Sequence, residues 1–394
     1  MLDESVLDVP DALARADTHG LLHGAAESGA RTRTAMRLAE EAGLAQLRPD
    51  GRPRSVLVAG SGSATGCVAD LLGAFGNGAV PVTRLRSTGA FASPAALSWT
   101  LPGWVGPLDL LLLATTDGME PGLEALVEQA YRRGCTVVAV APMGTLLAEV
   151  VGRTRGLAMP LAPRVSSPLP YGSGGGLDES GDLAEQPTVA LDPSTLWALV
   201  TPLLALCDRL GLLTAPASAI DALAERLNQV AERCGPVTET TGNPAKTLAV
   251  ELADALPLFW SEGPLAGAAG RHSVTTLSTL AGRPALAAEL PEALVTHGAL
   301  LTGAFGASDD PDDFFRDRVA DPRAPQARMV LLREQVPGAD SAVVAARDLA
   351  YAHGTPLSEL EVEGGSGPLE TAAELIATTD FAAVYLTLAA GEPS

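Results

Sequence analysis

The sequence predicts an α/β protein of two domains, each a parallel sheet flanked by helices in three α/β/α layers. Its 394 residues exceed the usual size of a single domain. Short apolar runs alternate with helical patterns along both halves, which is typical of parallel strands joined by crossover helices. Apolar residues make up 47% of the chain and aromatic residues only 4%, so Ala, Leu, Gly and Val must build the cores.

The first half alternates between helical and strand patterns. Residues 10–46 are predicted to form one or two amphipathic helices. The predicted strands of this half are Ser55–Ala59, Val80–Arg84, Leu108–Ala114 and Thr136–Ala141. One predicted helix ends near Phe75, and another runs from Glu120 to Arg133, where Gly134 closes it. Right-handed crossovers would bring every strand-to-helix loop to one edge of the sheet, where ligands bind.

A Pro- and Gly-rich segment interrupts this pattern. Residues 163–188 are predicted to be a flexible linker, so the two domains are expected at 1–190 and 191–394. The predicted strands of the second half are 256–260, 299–302, 329–333 and 357–362. Its predicted helices are 193–212, 217–233, 267–280, 341–353 and 369–390. The two halves share one strand–helix rhythm without an exact repeat, which is consistent with two copies of one fold.

The net charge narrows the range of partners. A formal charge of −21, from 26 basic and 47 acidic residues, disfavours a basic nucleic-acid groove and repels anionic membranes. We therefore expect neither nucleic acid nor a membrane as a partner. A phosphorylated ligand would need a local positive or amide-rich pocket. Because no signal-like run and no long apolar stretch is seen, the sequence predicts a cytoplasmic protein.

Cysteines and histidines do not indicate a metal or disulfide site. The cysteines lie far apart in apolar runs, which favours small buried thiols over disulfides or zinc: Cys67, Cys135, Cys207 and Cys234. The histidines form no pair at metal-ligand spacing: His19, His23, His272, His297 and His353. We expect no metal and no cofactor.

A glycine-rich turn follows the first strand. Gly60, Gly62 and Gly66 fail the dinucleotide fingerprint, because its third glycine would have to be at position 65. A tight turn that aims backbone amides at a ligand is favoured instead of NAD binding. The candidate ligand-binding residues of this turn are Gly60, Ser61, Gly62, Ser63 and Thr65.

A second candidate loop follows the third strand. Thr115 and Thr116 have hydroxyls that suit a phosphate at a helix N-terminus. Asp117 and Glu120 oppose an anion, and both are ordinary residues for the start of a helix. Ligand binding and simple helix capping therefore both remain open for this loop.

The segment Asn243-Pro-Ala-Lys-Thr-Leu-Ala249 has the pattern of a helix start. Asn243 suits an N-cap, and proline suits the first helical position. Lys246 would then lie in the first turns of this helix, either as a surface residue or as a ligand-binding one.

Several segments together carry a family resemblance. They are, in chain order, 131–140, 243–249, 256–260, 263–271, 289–292 and 379–388. Residues 243–249 are similar to an NPAK-x-x-A motif, and Glu289-Leu-Pro-Glu292 is similar to an ELPE motif. Over most of its length the chain resembles the sugar-isomerase (SIS) superfamily, and within it the bifunctional phosphoglucose/phosphomannose isomerases. The resemblance implies two tandem SIS-type domains, a sugar phosphate or related small molecule as partner, and a homodimer.

The residues that the family uses for catalysis are largely missing. The resemblance implies a base glutamate shortly before the ELPE motif, but residues 271–288 contain no Asp or Glu. Ser194 stands where the family has an arginine, and no lysine follows the last helix. The ring-opening histidine is matched by His297, which is the candidate catalytic residue.

Two functions follow from this comparison. The first is an isomerase-like protein that has lost the chemistry and binds a sugar-phosphate-like ligand or a protein partner in carbohydrate metabolism. The second is an active glucose- or mannose-6-phosphate isomerase that uses substitute residues: Glu239, Glu251, Lys246, Arg271 and His297. Lys246 and Arg271 are also candidate ligand-binding residues. A third hypothesis is a purely structural, scaffolding subunit.

Overall fold

The computed structural model describes residues 3–48, 51–89, 94–164, 192–302, 305, 325–334, 341–362 and 366–390. Its contacts define two compact units, residues 19–229 and residues 1–18 together with 230–394. The segment that precedes residue 230 packs with the first unit, whereas the sequence placed a domain boundary after residue 190. The predicted domains at 1–190 and 191–394 stay a prediction, and the predicted linker at 163–188 lies almost wholly outside the described residues.

The described secondary structure follows the predicted alternation. The helices are α1 Glu4–Leu7, α2 Pro10–Ala16, α3 Leu21–Ala26, α4 Ser28–Glu41, α5 Ala64–Gly76, α6 Pro121–Arg132, α7 Leu146–Arg153, α8 Thr195–Arg209, α9 Ala217–Arg233, α10 Pro244–Leu252, α11 Pro264–Leu280, α12 Ala293–Thr296, α13 Gly298–Thr302, α14 Ala342–Ala352 and α15 Pro368–Leu388. The strands are β1 Ser55–Ala59, β2 Val82–Arg84, β3 Asp109–Ala114, β4 Thr136–Ala141, β5 Leu157–Pro160, β6 Ala255–Glu262, β7 Leu286–Glu289, β8 Gln326–Arg333 and β9 Leu357–Leu360.

The first unit is built on a parallel sheet in the order β2-β1-β3-β4-β5. Its central strands are buried along their whole length, which explains their near-continuous Val and Leu runs. Helices α6 and α7 pack on one core of this sheet. Helix α8 packs against α4 and α5, which places it within this unit.

The second unit is built on a parallel sheet in the order β7-β6-β8-β9. Helix α15 is buried along most of its length and packs against α10 and α11. The N-terminal segment joins this unit, because the amide of Asp3 donates to the carbonyl oxygen of Ala389 at 2.9 Å. In both sheets the first strand in sequence lies between the second and the third, so the two units share one strand order.

The two parallel sheets flanked by helices confirm the predicted fold class. One predicted strand is wrong: residues 299–302 lie in α13. A four-residue apolar run fits a strand and a helical turn equally well, so periodicity alone did not distinguish them. Strands β5 and β7 went unpredicted, since Pro160 in one and Ala287 with Ala288 in the other have low strand propensity.

The N-terminal region contains more helices than predicted. Instead of one or two long helices over 10–46, it forms α2, α3 and α4 and a short 3-10 turn. Gly20 separates α2 from α3 with a φ of +65°, a conformation that glycine adopts without strain.

Candidate functional site

Both sheets have a point where the strand order reverses. In the first sheet, β1 lies between β2 and β3, so the loops after β1 and after β3 border a crevice at the carboxyl edge. Ligands of doubly wound α/β folds bind at this topological position. The crevice of the first unit is bordered by residues 60–63 and 115–120. The second sheet has its corresponding point between β6 and β8.

The predicted glycine turn borders this crevice. A Cβ atom on Gly60 would lie 1.8 Å from the carbonyl oxygen of Ala114, so no side chain fits there. Gly62 has a φ of +88°, in the left-handed region that favours glycine. The buried hydroxyl of Thr65 donates to the carbonyl oxygen of Ser61 at 3.0 Å. These contacts give Gly60, Gly62 and Thr65 a role in shaping the turn.

Glu120 lies fully buried at the crevice, and its carboxylate accepts hydrogen bonds from two of the hydroxyls that border the crevice. Thr115 Oγ1 donates to Glu120 Oε1 at 2.5 Å, and Ser61 Oγ donates to the same oxygen. Thr115 Oγ1 also accepts the amides of Asp117 and Gly118, at 3.2 and 3.3 Å. Glu120 occupies the N-cap position of α6, but its side chain makes no capping hydrogen bond, so side-chain capping by Glu120 is wrong. The donors of this loop hold the chain's own carboxylate.

The crevice has an excess of negative charge. Glu120 Oε2 is buried and has no hydrogen-bond partner among the described residues. The pKa of Asp117 is raised, first by partial burial and then by the charge of Glu120. A phosphate dianion at this position would meet two carboxyl groups and hydroxyls that are already engaged. Two of the candidate ligand-binding hydroxyls, those of Ser63 and Thr116, are half-buried and have no side-chain hydrogen bond among the described residues.

In the second unit, two glutamates lie at the corresponding point. Glu334 follows β8 and accepts the amides of Leu265 and Ala266 at 2.5 and 3.0 Å, at the start of α11. Glu262 ends β6 and accepts from Ser341 Oγ at 2.8 Å, at the start of α14. In both units, therefore, a glutamate of the chain itself occupies donors at the point of reversal.

Glycine makes the approach of Glu334 possible. A Cβ atom on Gly263 would lie 2.3 Å from Glu334 Oε1, and its φ is +102°. Burial raises the pKa of Glu334, although the two amides that it accepts oppose this shift; the charge of Glu289 adds to it. The carboxyl group is thus held close to the sheet edge at some cost to its ionised form.

Lys246 is buried in the second unit and is not a surface residue. Its ammonium group donates to the carbonyl oxygens of Pro236 and Thr238, at 2.9 and 2.7 Å, and lies 3.7 Å from the Asp8 carboxylate. Burial lowers its pKa, and Asp8 opposes this shift. Asn243 Oδ1 accepts the amide of Lys246 at 3.0 Å, which confirms the predicted N-cap.

Arg271 and His297 each have a partner within the second unit. Arg271 pairs with Glu289 at the end of β7. Trp260 Nε1 donates to His297 Nδ1 at 3.0 Å. Because an indole nitrogen only donates, Nδ1 is unprotonated and the neutral ring has its proton on Nε2. Burial lowers the pKa of His297, which favours that neutral form.

Sequence reasoning missed a buried charge cluster around Asp192. Arg31 Nη1 lies 2.7 Å and Arg164 Nε 3.3 Å from Asp192 Oδ2, and Arg31 also donates to Ser194 Oγ at 2.8 Å. Two arginines thus converge beside the position where the resemblance implies that one was lost. Arg31 lies one helical turn before buried Ala35, so its place on the apolar face of α4 was the available signal.

The described residues contain neither a metal-binding cluster nor a membrane-spanning helix. Within these ranges, no three His, Cys, Asp or Glu side chains are grouped so as to hold a metal ion. Nor does a helix in them combine the length and apolarity that crossing a membrane requires. The four cysteines are free and buried, as predicted, and burial raises the pKa of Cys135 to about 11.

The chain is similar to known proteins in sequence and in fold. Residues 241–392 match the family of the bacterial phospho-glucose isomerase C-terminal SIS domain. No curated protein matches the sequence. A candidate phosphosugar isomerase from Clostridium difficile 630 superposes with a TM-score of 0.59 at 10% identity, over 92% of this chain and 91% of its own.

Two further solved structures share the fold. A candidate sugar-binding protein from Salmonella typhimurium LT2 has a TM-score of 0.53 at 14% identity, over 92% of this chain and 98% of its own. A candidate phosphosugar isomerase from Silicibacter pomeroyi DSS-3 has a TM-score of 0.51 at 15% identity, over 97% of this chain and 96% of its own. At such identities the likeness concerns the fold alone, and the sequence match is confined to residues 241–392. Residues 241–392 therefore match the bacterial phospho-glucose isomerase C-terminal SIS domain family, and the chain as a whole shares its fold with these solved structures.

Proposed function

We propose that this protein has lost isomerase chemistry and binds a sugar phosphate or a related small molecule in carbohydrate metabolism. The observation that carries the proposal is the Glu120 cluster. Its carboxylate accepts hydrogen bonds from the hydroxyls of Ser61 and Thr115, which are candidate ligand-binding residues of the two loops. A site filled in this way disfavours the substrate pose on which the isomerase reaction depends.

The missing base supports the same proposal. Aldose–ketose isomerisation moves a proton between two carbons, so it needs a carboxylate poised over the sugar. Residues 271–288 contain no acid, and Glu289, the next one along the chain, pairs with Arg271. Removal of a general base lowers the rate by about 10²–10⁴-fold. Loss of the family reaction is therefore the expected result.

An active isomerase that uses substitute residues is the alternative. His297 favours it, since a neutral imidazole with its proton on Nε2 suits ring opening. Other named substitutes are already engaged: Lys246 with backbone carbonyls, and Glu251 with Ser358 Oγ at 2.5 Å. For Glu239, no side-chain partner is described.

Two measurements test the proposal. A coupled assay with fructose 6-phosphate should show no turnover above the uncatalysed rate, at enzyme concentrations that would reveal a strongly impaired isomerase. Isothermal titration with glucose 6-phosphate and mannose 6-phosphate should show saturable binding. Turnover that is lost in His297→Ala would instead establish the alternative.

The predicted homodimer and the scaffolding hypothesis are tested separately, and the cytoplasmic location stays a prediction. Light scattering of the purified chain should give twice the mass of one chain. If no sugar phosphate changes the melting temperature while a protein partner co-purifies, the scaffolding reading would replace ligand binding.

A further inference from the structure

Two arginines at the end of β2 form no ion pair within the residues that the structure describes. Arg84 is the last residue of β2, and Arg86 follows two residues later, so both side chains leave the extended segment on the same side. Both are exposed, and neither guanidinium forms an ion pair or a hydrogen bond within the described residues. The pKa of Arg84 is lowered, first by partial burial and then by the charge of Arg86, against which Asp70 acts.

The chain is rich in acidic side chains with which an arginine can form an ion pair. It has 47 acidic residues and 26 basic ones, so an arginine can often form an ion pair with a carboxylate. Many described arginines do so: Arg31, Arg33, Arg37, Arg54, Arg164, Arg233, Arg271, Arg328, Arg333 and Arg347. Two neighbouring arginines that repel each other and lack such a partner would be stabilised by an added anion.

Arg84 is held close to the candidate ligand turn. It pairs in register with Val58 of β1, two residues before Gly60. A Cβ atom on Gly66 would lie 2.5 Å from Arg84 Nη1, so glycine at this position leaves room for the guanidinium against the first turn of α5. Ser63, at the start of the same helix, makes no capping hydrogen bond with its side chain. A cation and a free hydroxyl therefore border one turn.

Most donors named in the other described strand-to-helix loops are engaged, and the Thr116 hydroxyl after β3 is the exception. Glu120 takes the hydroxyls after β3, Glu334 takes the first amides of α11, and Glu262 takes Ser341 at α14. Thr145 accepts the amide of Ala148 at the start of α7. Among these loops, the turn after β1 combines a cation that forms no described ion pair with a hydroxyl that makes no capping hydrogen bond.

We propose that Arg84, with Arg86 beside it and Ser63 as a neutral donor, binds the phosphate group of the sugar phosphate. This inference rests on the proposed function and assigns its anionic group to a position away from Thr115. A guanidinium can bind phosphate through two parallel N–H···O bonds, which a point charge does not reproduce. The site is partly exposed, so its affinity falls as ionic strength rises.

The test compares ligand binding to matched arginine variants. Isothermal titration measures glucose 6-phosphate, inorganic phosphate and glucose with the wild type, Arg84→Ala and Arg132→Ala. Arg132, exposed at the end of α6, controls for the change in net charge. Arg84→Ala should bind glucose 6-phosphate about 10- to 100-fold more weakly, which is the usual effect of losing a hydrogen bond to a charged group. Arg132→Ala should bind like the wild type, and affinity for glucose should not change.

A second variant keeps the charge and changes the space. Gly66→Ala crowds the Arg84 guanidinium, and it should weaken binding of both phosphate probes while its far-UV spectrum stays that of the wild type. Arg84→Lys should restore part of the affinity. Unchanged affinity for glucose 6-phosphate in Arg84→Ala would overturn the inference and leave the proposed function standing. A wild type that binds neither phosphate probe would overturn both, whereas turnover of fructose 6-phosphate with the Arg84 effect intact would overturn the proposed loss of chemistry alone.

Discussion

Glu262 and Glu334 lie at the carboxyl ends of the neighbouring strands β6 and β8, and each caps the helix that follows the other strand. Glu262, at the end of β6, reaches the start of α14, the helix that follows β8. Glu334, directly after β8, reaches the start of α11, the helix that follows β6. A carboxylate near a helix N-terminus satisfies free amides and interacts favourably with the helix dipole. The exchange joins the two strand–helix units at the sheet edge, in addition to the backbone pairing of β6 with β8.

The first prediction concerns stability. Glu262→Ala should lower the free energy of unfolding by about 1–2 kcal/mol, because it removes the acceptor for the Ala342 amide and for Ser341 Oγ. Urea denaturation measures the change. Asp348→Ala, at an exposed position of α14, is the control and should stay close to the wild type. Equal losses in the two variants would contradict the capping role.

The second prediction concerns pH. Burial raises the pKa of Glu334 in the folded state above its ordinary value of 4.5. Between pH 4.5 and that raised pKa, the folded state therefore binds more protons than the unfolded state. Its contribution to stability is therefore fully present below pH 4.5 and is lost as the pH rises through the folded pKa. Glu334→Gln should flatten that part of the profile. Urea unfolding from acid to neutral pH tests it, with Asp348→Asn as the control that keeps the wild-type slope.

The third prediction concerns the Glu120 cluster. Glu120→Ala removes the carboxylate that holds Ser61 and Thr115, so both hydroxyls become available to an anion. The variant should gain a rise in melting temperature with inorganic phosphate that adds to the wild-type response. Glu128→Ala, an exposed position on the same helix, makes the same change in net charge and should show no gain. If Glu120→Ala responds to phosphate no more than Glu128→Ala, the carboxylate is not what excludes the anion.

The fourth prediction separates two roles for Lys246. Lys246→Met fills a similar volume but leaves the carbonyl oxygens of Pro236 and Thr238 without their donor. It should lower the free energy of unfolding by about 1–3 kcal/mol. Asp8→Asn keeps both carbonyl contacts and should have a smaller effect. A variant of wild-type stability with weakened binding of glucose 6-phosphate would instead establish the ligand role.

Local chemistry made much of the fold readable from the sequence. Buried strands such as β1 and β3 appear as continuous apolar runs, and Asn243 before Pro244 marks a helix start that the structure confirms. Elements whose residues lack a local signature were missed or misassigned. The Ala-rich β7 is a strand because β6 pairs with it. Residues 299–302 belong to the short helix α13, although their apolar run also fits a strand.

By itself, the sequence determined the alternation of strands and helices, the glycine turn after β1 and the absence of an acid at 271–288. All of these follow from residue type and short spacing. Only the tertiary structure decided the partners of the charged groups. Glu120 accepts from Ser61, Glu334 accepts from the first amides of α11, Lys246 donates to backbone carbonyls, and Arg84 lies against Gly66. The physical reason is that these partners come from strands and helices distant in sequence, and hydrophobic periodicity specifies which face is buried without specifying which charges then become neighbours.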